Sequence, residues 1–225
     1  MVRRPTTAPQ LRAVPSEGDA SADMAPRESS ADAVEAELLA RAREGEEGAW
    51  AELYDRNFST VLTRVRYLVG RIDLAEELTQ ESFVQAMLKI DRFDGRAQFR
   101  SWVKAIALNI VRNHWRSEKV RRRAQGRLTV VETARREGQD APLDQAVLER
   151  ERSKALYAAL ERLPENLREV FVLRDIEGLG CEAISEQLGL SRNNVSVRCT
   201  RARHRLHEEL RAMGWLAGST EDGDD

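Results

Sequence analysis

Residues 182–210 read EAISEQLGLSRNNVSVRCTRARHRLHEEL. Ala183, Ile184 and Leu188 recur at the spacing of one face of a two-turn helix, and Gly189 can adopt the left-handed backbone that a tight turn requires. Ser191 suits the cap of a following helix, whose Val195 and Leu206 look inward. Two helices joined in this way form a helix-turn-helix. The outer face of the second helix offers Arg192, Asn193, Asn194, Ser196 and Arg198 near its start, then Arg201, Arg203 and Arg205 further along. Side chains at the start of such a helix can reach base edges, while arginines and hydroxyls along it can hold phosphates. The same residues also fit a surface helix with solvated arginines.

Upstream of this motif, Val147, Leu156, Leu160 and Leu163 mark one helix. Pro164 fits the first turn of the next, which contributes Leu167, Val170, Phe171 and Leu173. The stretch from Gly178 to Gly180 ends it, and the last helix runs from Arg192 to about Trp215. A helical unit is therefore expected over 143–215. Over 123–142 the apolar residues lose their spacing, Gly126, Gly138 and Pro142 appear and charges dominate, so this segment reads as a linker.

A second set of helical spacings precedes the linker. Val34, Leu38, Leu39 and Ala42 stop at Gly45; Trp50, Leu53, Tyr54, Phe58, Val61, Leu62 and Val65 continue to Gly70. Leu74, Leu78, Phe83, Met87 and Ile90 follow, and Trp102, Val103, Ile106 and Ile110 close the set beyond a loop at Asp94 to Arg96. Three or four helices are expected within 31–122. Residues 1–30 contain four of the six prolines and few bulky apolar side chains, so a disordered arm is expected there, and 216–225 reads as an acidic tail. The fold class is all-α, with two small helical domains joined by a flexible linker and the helix-turn-helix in the second.

The composition narrows the function. The chain has 225 residues, enough for one ordinary domain or two small ones. Aromatic residues make up only 5%, which suits thin helical cores. Lys plus Arg number 36 against 38 Asp plus Glu, a net charge of -2, so any signal for nucleic acid must lie in local charge distribution. Cys181 and Cys199 are too few for a disulfide scaffold. No signal peptide or membrane-length apolar run is present, so a soluble cytoplasmic protein without membrane insertion is expected.

A basic cluster lies at the end of the first unit, with Arg112, Arg116, Lys119, Arg121, Arg122, Arg123 and Arg127. Asn109, Asn113, His114 and Trp115 interleave with it, and Trp115 is the better surface candidate for stacking on an unpaired base, whereas Trp102 reads as core. Glu76, Glu77 and Glu81 form an acidic helical surface open to a basic protein partner. An enzyme is not expected: the chain lacks a glycine-rich phosphate loop, a His-Glu-x-x-His pattern and a nucleophile elbow. Cys199, His204 and His207 share a helix face poorly, so neither a metal site nor a cofactor is expected.

Several stretches together resemble the extracytoplasmic-function sigma factors of the sigma-70 family. The resemblance lies in Leu53 to Phe58, in Ala75 to Phe83, in Phe93 to Trp102 continuing through Asn109 to Asn113, in Leu163 to Phe171, and in Glu177 to Gly189. It implies that Glu76, Glu77, Leu78, Gln80 and Glu81 bind core RNA polymerase. It further implies that Phe93, Arg96, Phe99, Asn109, Arg112, Asn113, Trp115 and Arg116 contact the -10 element of promoter DNA. The second unit would set Arg192, Asn193, Asn194, Ser196, Arg198, Arg201 and Arg205 on the -35 element, and an anti-sigma factor is implied as a regulatory partner. Where the family usually carries Gly-Thr-Val-Lys-Ser-Arg, this chain has Asn193 to Arg198, and asparagine can pair bidentately with adenine. Two rival readings are a stand-alone helix-turn-helix regulator and a helical adaptor that binds only proteins.

Overall fold

The computed structural model describes residues 25–124 and 145–216. Among them are eight α-helices: α1 (Ala25–Arg43), α2 (Glu47–Val69), α3 (Ile72–Leu88), α4 (Phe99–Ala124), α5 (Gln145–Arg162), α6 (Glu165–Phe171), α7 (Cys181–Leu188) and α8 (Arg192–Ala212). A 3-10 turn, Ile90–Arg92, follows α3, and a π-helical turn, Val172–Ile176, extends α6. The helix α1 begins at Ala25, inside the segment expected to be an arm. Residues 1–24, most of the expected linker and the tail beyond 216 lie outside the described residues.

The first four helices pack around Leu53, Val61, Val65 and Leu68 of α2 and Phe99, Val103, Leu108 and Val111 of α4, all essentially inaccessible to water. Gly70 ends α2 in the left-handed region, φ 76°, and its N–H donates to Arg66 O, which satisfies a carbonyl the helix end would leave open. Two contacts distant in sequence hold the segment before α4. The N–H of Phe99 donates to the Glu35 carboxylate of α1 at 3.0 Å, so α1 caps the start of α4. Arg43 Nη2 donates to Phe93 O at 2.6 Å.

In the second half, Leu160, Leu163, Phe171, Ala202 and Leu206 form one small core between α5, α6 and α8. Pro164 sits at the N-cap of α6, one place ahead of the first turn expected for it. Val170, Val172, Leu173, Ile184, Leu188, Val195 and Cys199 instead join the core of the first four helices. The two halves are thus packed on each other, a contact that the linker gave no reason to expect. Gly189 ends α7 at φ 66°, and the Ser191 hydroxyl accepts from the Asn194 N–H at 3.2 Å, the cap expected for α8.

Candidate polymerase and nucleic-acid surfaces

Three surfaces carry the residues singled out above. On α3, Ala75, Leu78, Thr79, Ser82, Phe83 and Ala86 face inward, leaving Glu76, Glu77, Gln80 and Glu81 exposed. Leu78 is 4% exposed, so it supports this face from beneath rather than touching a partner. Beside the acids stand Val84, Met87 and Leu88, exposed at 50%, 47% and 70%. An apolar patch rimmed by carboxylates is a protein-docking surface in kind. Val84 and Leu88 were not singled out in the sequence, and Met87 was expected in the core. Their signal was available, because they fall outside the stripe set by Leu78, Ser82 and Phe83.

On α4, Asn109, Arg112, Asn113 and Arg116 follow one another at three- and four-residue steps and so form one stripe. Asn109, Asn113 and Arg116 are exposed, and Asn113 Oδ1 accepts from Arg116 Nη1 at 3.0 Å. The aromatic residues depart from expectation. Trp115 is only 9% exposed, and the Arg168 guanidinium lies 5.7 Å from its ring centroid, so it is packed against α6 rather than offered as a surface platform. Phe93 and Phe99 are buried as well, in a cluster with Trp50 and the half-buried Trp102; ring centroids are 5.9 Å apart for Phe93 and Phe99 and 5.1 Å for Phe93 and Trp102. The resemblance implied DNA contacts for Phe93 and Phe99 and the basic surroundings suggested a surface role for Trp115, whereas tertiary packing turns all three inward. Arg96 remains exposed in the preceding loop, 3.3 Å from Asp94.

On α8, Val195, Cys199, Ala202 and Leu206 form the buried stripe, which turns Arg192, Asn193, Asn194, Ser196, Arg201 and Arg205 outward. Arg192 pairs with Glu182 of α7. Asn194 Oδ1 accepts from Arg198 Nε at 2.8 Å, and Arg205 pairs with Glu208 at 3.3 Å and Glu209 at 3.1 Å. Among the described residues the side chains of Asn193, Ser196 and Arg201 carry no such partner. The side-chain amide of Asn193 is thus exposed and without an intramolecular partner among the described residues, whereas Oδ1 of Asn194 is taken by Arg198. Arg203, by contrast, is held by Asp175, whose hydrogen bond and charge raise the guanidinium pKa. The half-buried Arg198 lies 3.6 Å from Glu169 of α6, and Arg112 Nε donates to the same carboxylate at 2.8 Å.

Among the described residues no group of three or more His, Cys, Asp or Glu side chains is placed to hold a metal ion, and no helix is long and apolar enough to cross a membrane. Cys199 is buried, and burial, aided by the nearby Asp175 carboxylate, pushes its thiol pKa up. Such a thiol is a poor ligand and a poor nucleophile at neutral pH.

Comparison with known proteins bears on both halves. Residues 53–121 match the family model for sigma-70 region 2, and residues 153–206 match that for sigma-70 region 4. The chain is 31% identical over 168 residues to the ECF RNA polymerase sigma factor BldN of Streptomyces coelicolor, spanning 74% of this chain and 62% of that protein. It is 27% identical over 184 residues to the ECF RNA polymerase sigma factor SigW of Bacillus subtilis, spanning 78% of this chain and 96% of that one. Among solved structures, CnrH in complex with the cytosolic domain of CnrY is similar with a TM-score of 0.54 at 28% identity, covering 80% of this chain and 98% of CnrH. The sigma factor RpoE from Bartonella quintana, solved with the anti-sigma factor NepR, shares the fold at a TM-score of 0.56 and 22% identity, over 72% of this chain and 96% of RpoE. With a region 2 unit before a region 4 unit, and relatives that align across both, the chain belongs to the extracytoplasmic-function sigma factors of the sigma-70 family.

Proposed function

We propose that the chain is an alternative sigma factor, which binds core RNA polymerase, recognises the -35 and -10 promoter elements and promotes local DNA melting at the start of transcription. The observation that carries this reading is the division of labour between two surfaces of one unit and a third on the other. The exposed acids and apolar residues of α3 suit a basic, partly apolar protein surface, while the stripe of α4 and the outer face of α8 suit nucleic acid. A stand-alone regulator needs only the last of these, and a protein adaptor has no use for the polar stripe of α4.

In this reading Glu76, Glu77, Gln80 and Glu81, with Val84, Met87 and Leu88, dock on core polymerase. Asn109, Arg112, Asn113 and Arg116 hold the -10 strand, with Arg96 in the loop before α4. On the -35 duplex, Asn193 and Ser196 meet base edges while Arg192, Arg198, Arg201 and Arg205 hold phosphates. The net charge of -2 is compatible with this, because the acids lie on the polymerase face and the cations on the DNA faces. Such a protein works in the cytoplasm, catalyses no reaction of its own, and is held inactive by an anti-sigma factor that covers these faces.

The test is fluorescence anisotropy of the labelled chain with core RNA polymerase at physiological salt, with the primary sigma factor as competitor. Sub-micromolar, competable binding is expected, and it should weaken at least about tenfold in an E77K/E81K variant, because like charges would then face the partner. Binding of promoter duplex by the chain alone, undiminished by removal of polymerase, would favour the stand-alone regulator.

A further inference from the structure

The helix α1 meets both ends of the loop that leads into α4. Glu35, Leu39 and Arg43 stand at four-residue steps along it and so share one face, and Leu38, Leu39 and Ala42 are buried in the core between them. With its middle packed in this way, α1 presents Glu35 to one end of the loop and Arg43 to the other. The Glu35 carboxylate accepts from the Phe99 N–H at 3.0 Å, and Arg43 Nη2 donates to Phe93 O at 2.6 Å. The eight residues of helix between Glu35 and Arg43 span about 12 Å. Phe99 opens α4, where N–H groups lack a partner within the helix, and Phe93 closes the 3-10 turn after α3. The two bonds therefore fix the backbone where the loop begins and where it ends.

Between those points the chain is open to solvent. Asp94, Gly95, Arg96, Ala97 and Gln98 are all exposed, whereas Phe93 and Phe99 on either side are buried. Within the loop Gly95 takes φ 74°, and Asp94 Oδ1 accepts from the Arg96 N–H at 3.1 Å, which sets the backbone from which Arg96 projects. The rings of Phe93 and Phe99 anchor the loop in the core, but burial of a ring does not fix the peptide groups beside it. Hydrogen bonds to those groups do, and α1 supplies one at each end. An exposed loop without them would sample more conformations and lose that freedom each time it met a ligand.

We propose that Glu35 and Arg43 are positioning residues for promoter opening: by holding Phe99 N and Phe93 O they keep the 94–98 loop in the conformation that receives an unpaired base of the -10 strand. Neither side chain touches DNA; both act through the loop. Glu35 serves as a hydrogen-bond acceptor and not as a charge, because a carboxylate beside a DNA-binding loop repels phosphate, whereas a neutral carbonyl oxygen in the same place would hold Phe99 without that cost. If loss of either bond leaves the loop competent in about a tenth of molecules, the apparent affinity for the unpaired -10 strand falls about tenfold. Neither bond involves α3, so binding of core polymerase is unaffected. The role in opening rests on the assignment of Arg96 and its loop to the -10 strand proposed above; the bracing of the loop by α1 does not.

The experiment reads the brace and its consequence separately. The full-length chain is prepared as wild type, Glu35→Ala, Glu35→Gln, Arg43→Met and Arg43→Lys, and each is assembled on core RNA polymerase. A promoter fragment recovered from host genomic DNA by transcription with the wild-type chain is probed with permanganate, which oxidises unpaired thymines. Opening about tenfold lower in Glu35→Ala and Arg43→Met, at equal affinity for polymerase, is expected. Glu35→Gln should restore most of it, because its side-chain oxygen still accepts from Phe99, and Arg43→Lys should restore part. Amide hydrogen exchange of the free proteins, read by mass spectrometry, reports the brace itself: residues 93–99 should exchange about tenfold faster in the Ala and Met variants, with 103–111 unchanged. Opening unchanged in both of those variants overturns the positioning role. Glu35→Gln as defective as Glu35→Ala overturns the acceptor role of Glu35. A parallel fall in polymerase affinity, or faster exchange throughout α4, marks a general loss of structure and also overturns positioning. Wild-type chain that neither binds polymerase nor yields a transcript refutes the sigma-factor reading and the role in opening with it, whereas exchange over 93–99 still decides whether α1 braces the loop.

Discussion

Replacing Arg168 with Met tests how the halves are held. Arg168 is 7% exposed and donates to three backbone carbonyls: Leu68 O at 2.7 Å, Glu161 O at 2.5 Å and Leu163 O at 3.0 Å. Leu68 O belongs to the last turn of α2 and Glu161 O to the last turn of α5, positions where helices leave carbonyls without an internal partner. One guanidinium thus finishes two helices from different halves of the chain. Burial lowers the guanidinium pKa, and nearby Glu161 and Glu165 partly offset this. Methionine fills similar volume but supplies no donor. Three hydrogen bonds from a charged group contribute about 1.5 kcal/mol each at the low end of their range, or about 4.5 kcal/mol together. Relief of the desolvated charge returns part of that, leaving an expected net loss of about 2–4 kcal/mol. Urea denaturation followed by far-UV circular dichroism measures it, with Arg168→Lys as a companion: a lysine keeps the charge but cannot span all three carbonyls, so it should recover less than half of the loss. A loss below about 1 kcal/mol for R168M would refute the claim that these bonds organise the junction.

Other consequences are as direct. Phe99 is fully buried among Trp50, Phe93 and Trp102, so Phe99→Ala should cost about 3–5 kcal/mol and lower the thermal midpoint sharply, measured by calorimetry. Ser191→Ala removes the cap of α8 and should cost about 1 kcal/mol in the same assay, while Ser191→Asp should be nearly neutral. Gly70→Ala forces a side chain into φ 76°, with its Cβ 3.3 Å from the Glu161 side chain, and should destabilise by at least about 1 kcal/mol. Iodoacetamide at pH 7.4 should modify Cys181 well before Cys199, because burial raises the Cys199 pKa and suppresses its thiolate; mass spectrometry of timed digests reads the order.

The helix-turn-helix was legible in a few residues, since Gly189 and Ser191 act locally and the spacing of Ile184, Leu188 and Val195 needs no distant partner. The acidic face of α3 was legible for the same reason. Contacts between the halves were not: Arg64 and Glu177 are 113 positions apart, and a charged residue in a helical sequence carries no mark of the carboxylate it will meet. Trp115 shows the limit on the apolar side. Its spacing is compatible with either edge of the α4 stripe, and only the arrival of Arg168 from α6 decides that it is covered. The Glu35 cap on α4 was hidden likewise, because a capping acid is recognisable in sequence when it precedes its helix by one residue and not when it reaches across from another.

The central claim is that this chain directs polymerase to promoters, and run-off transcription on sheared genomic DNA of its host tests it most directly. Core RNA polymerase is supplied with the chain, with buffer, or with the E77K/E81K variant, and the 5′ ends of transcripts are sequenced. The account predicts discrete start sites that require the chain, share sequence elements near -35 and -10, and disappear with the variant. A folded chain that binds core polymerase yet yields only the start sites seen with core alone would contradict it.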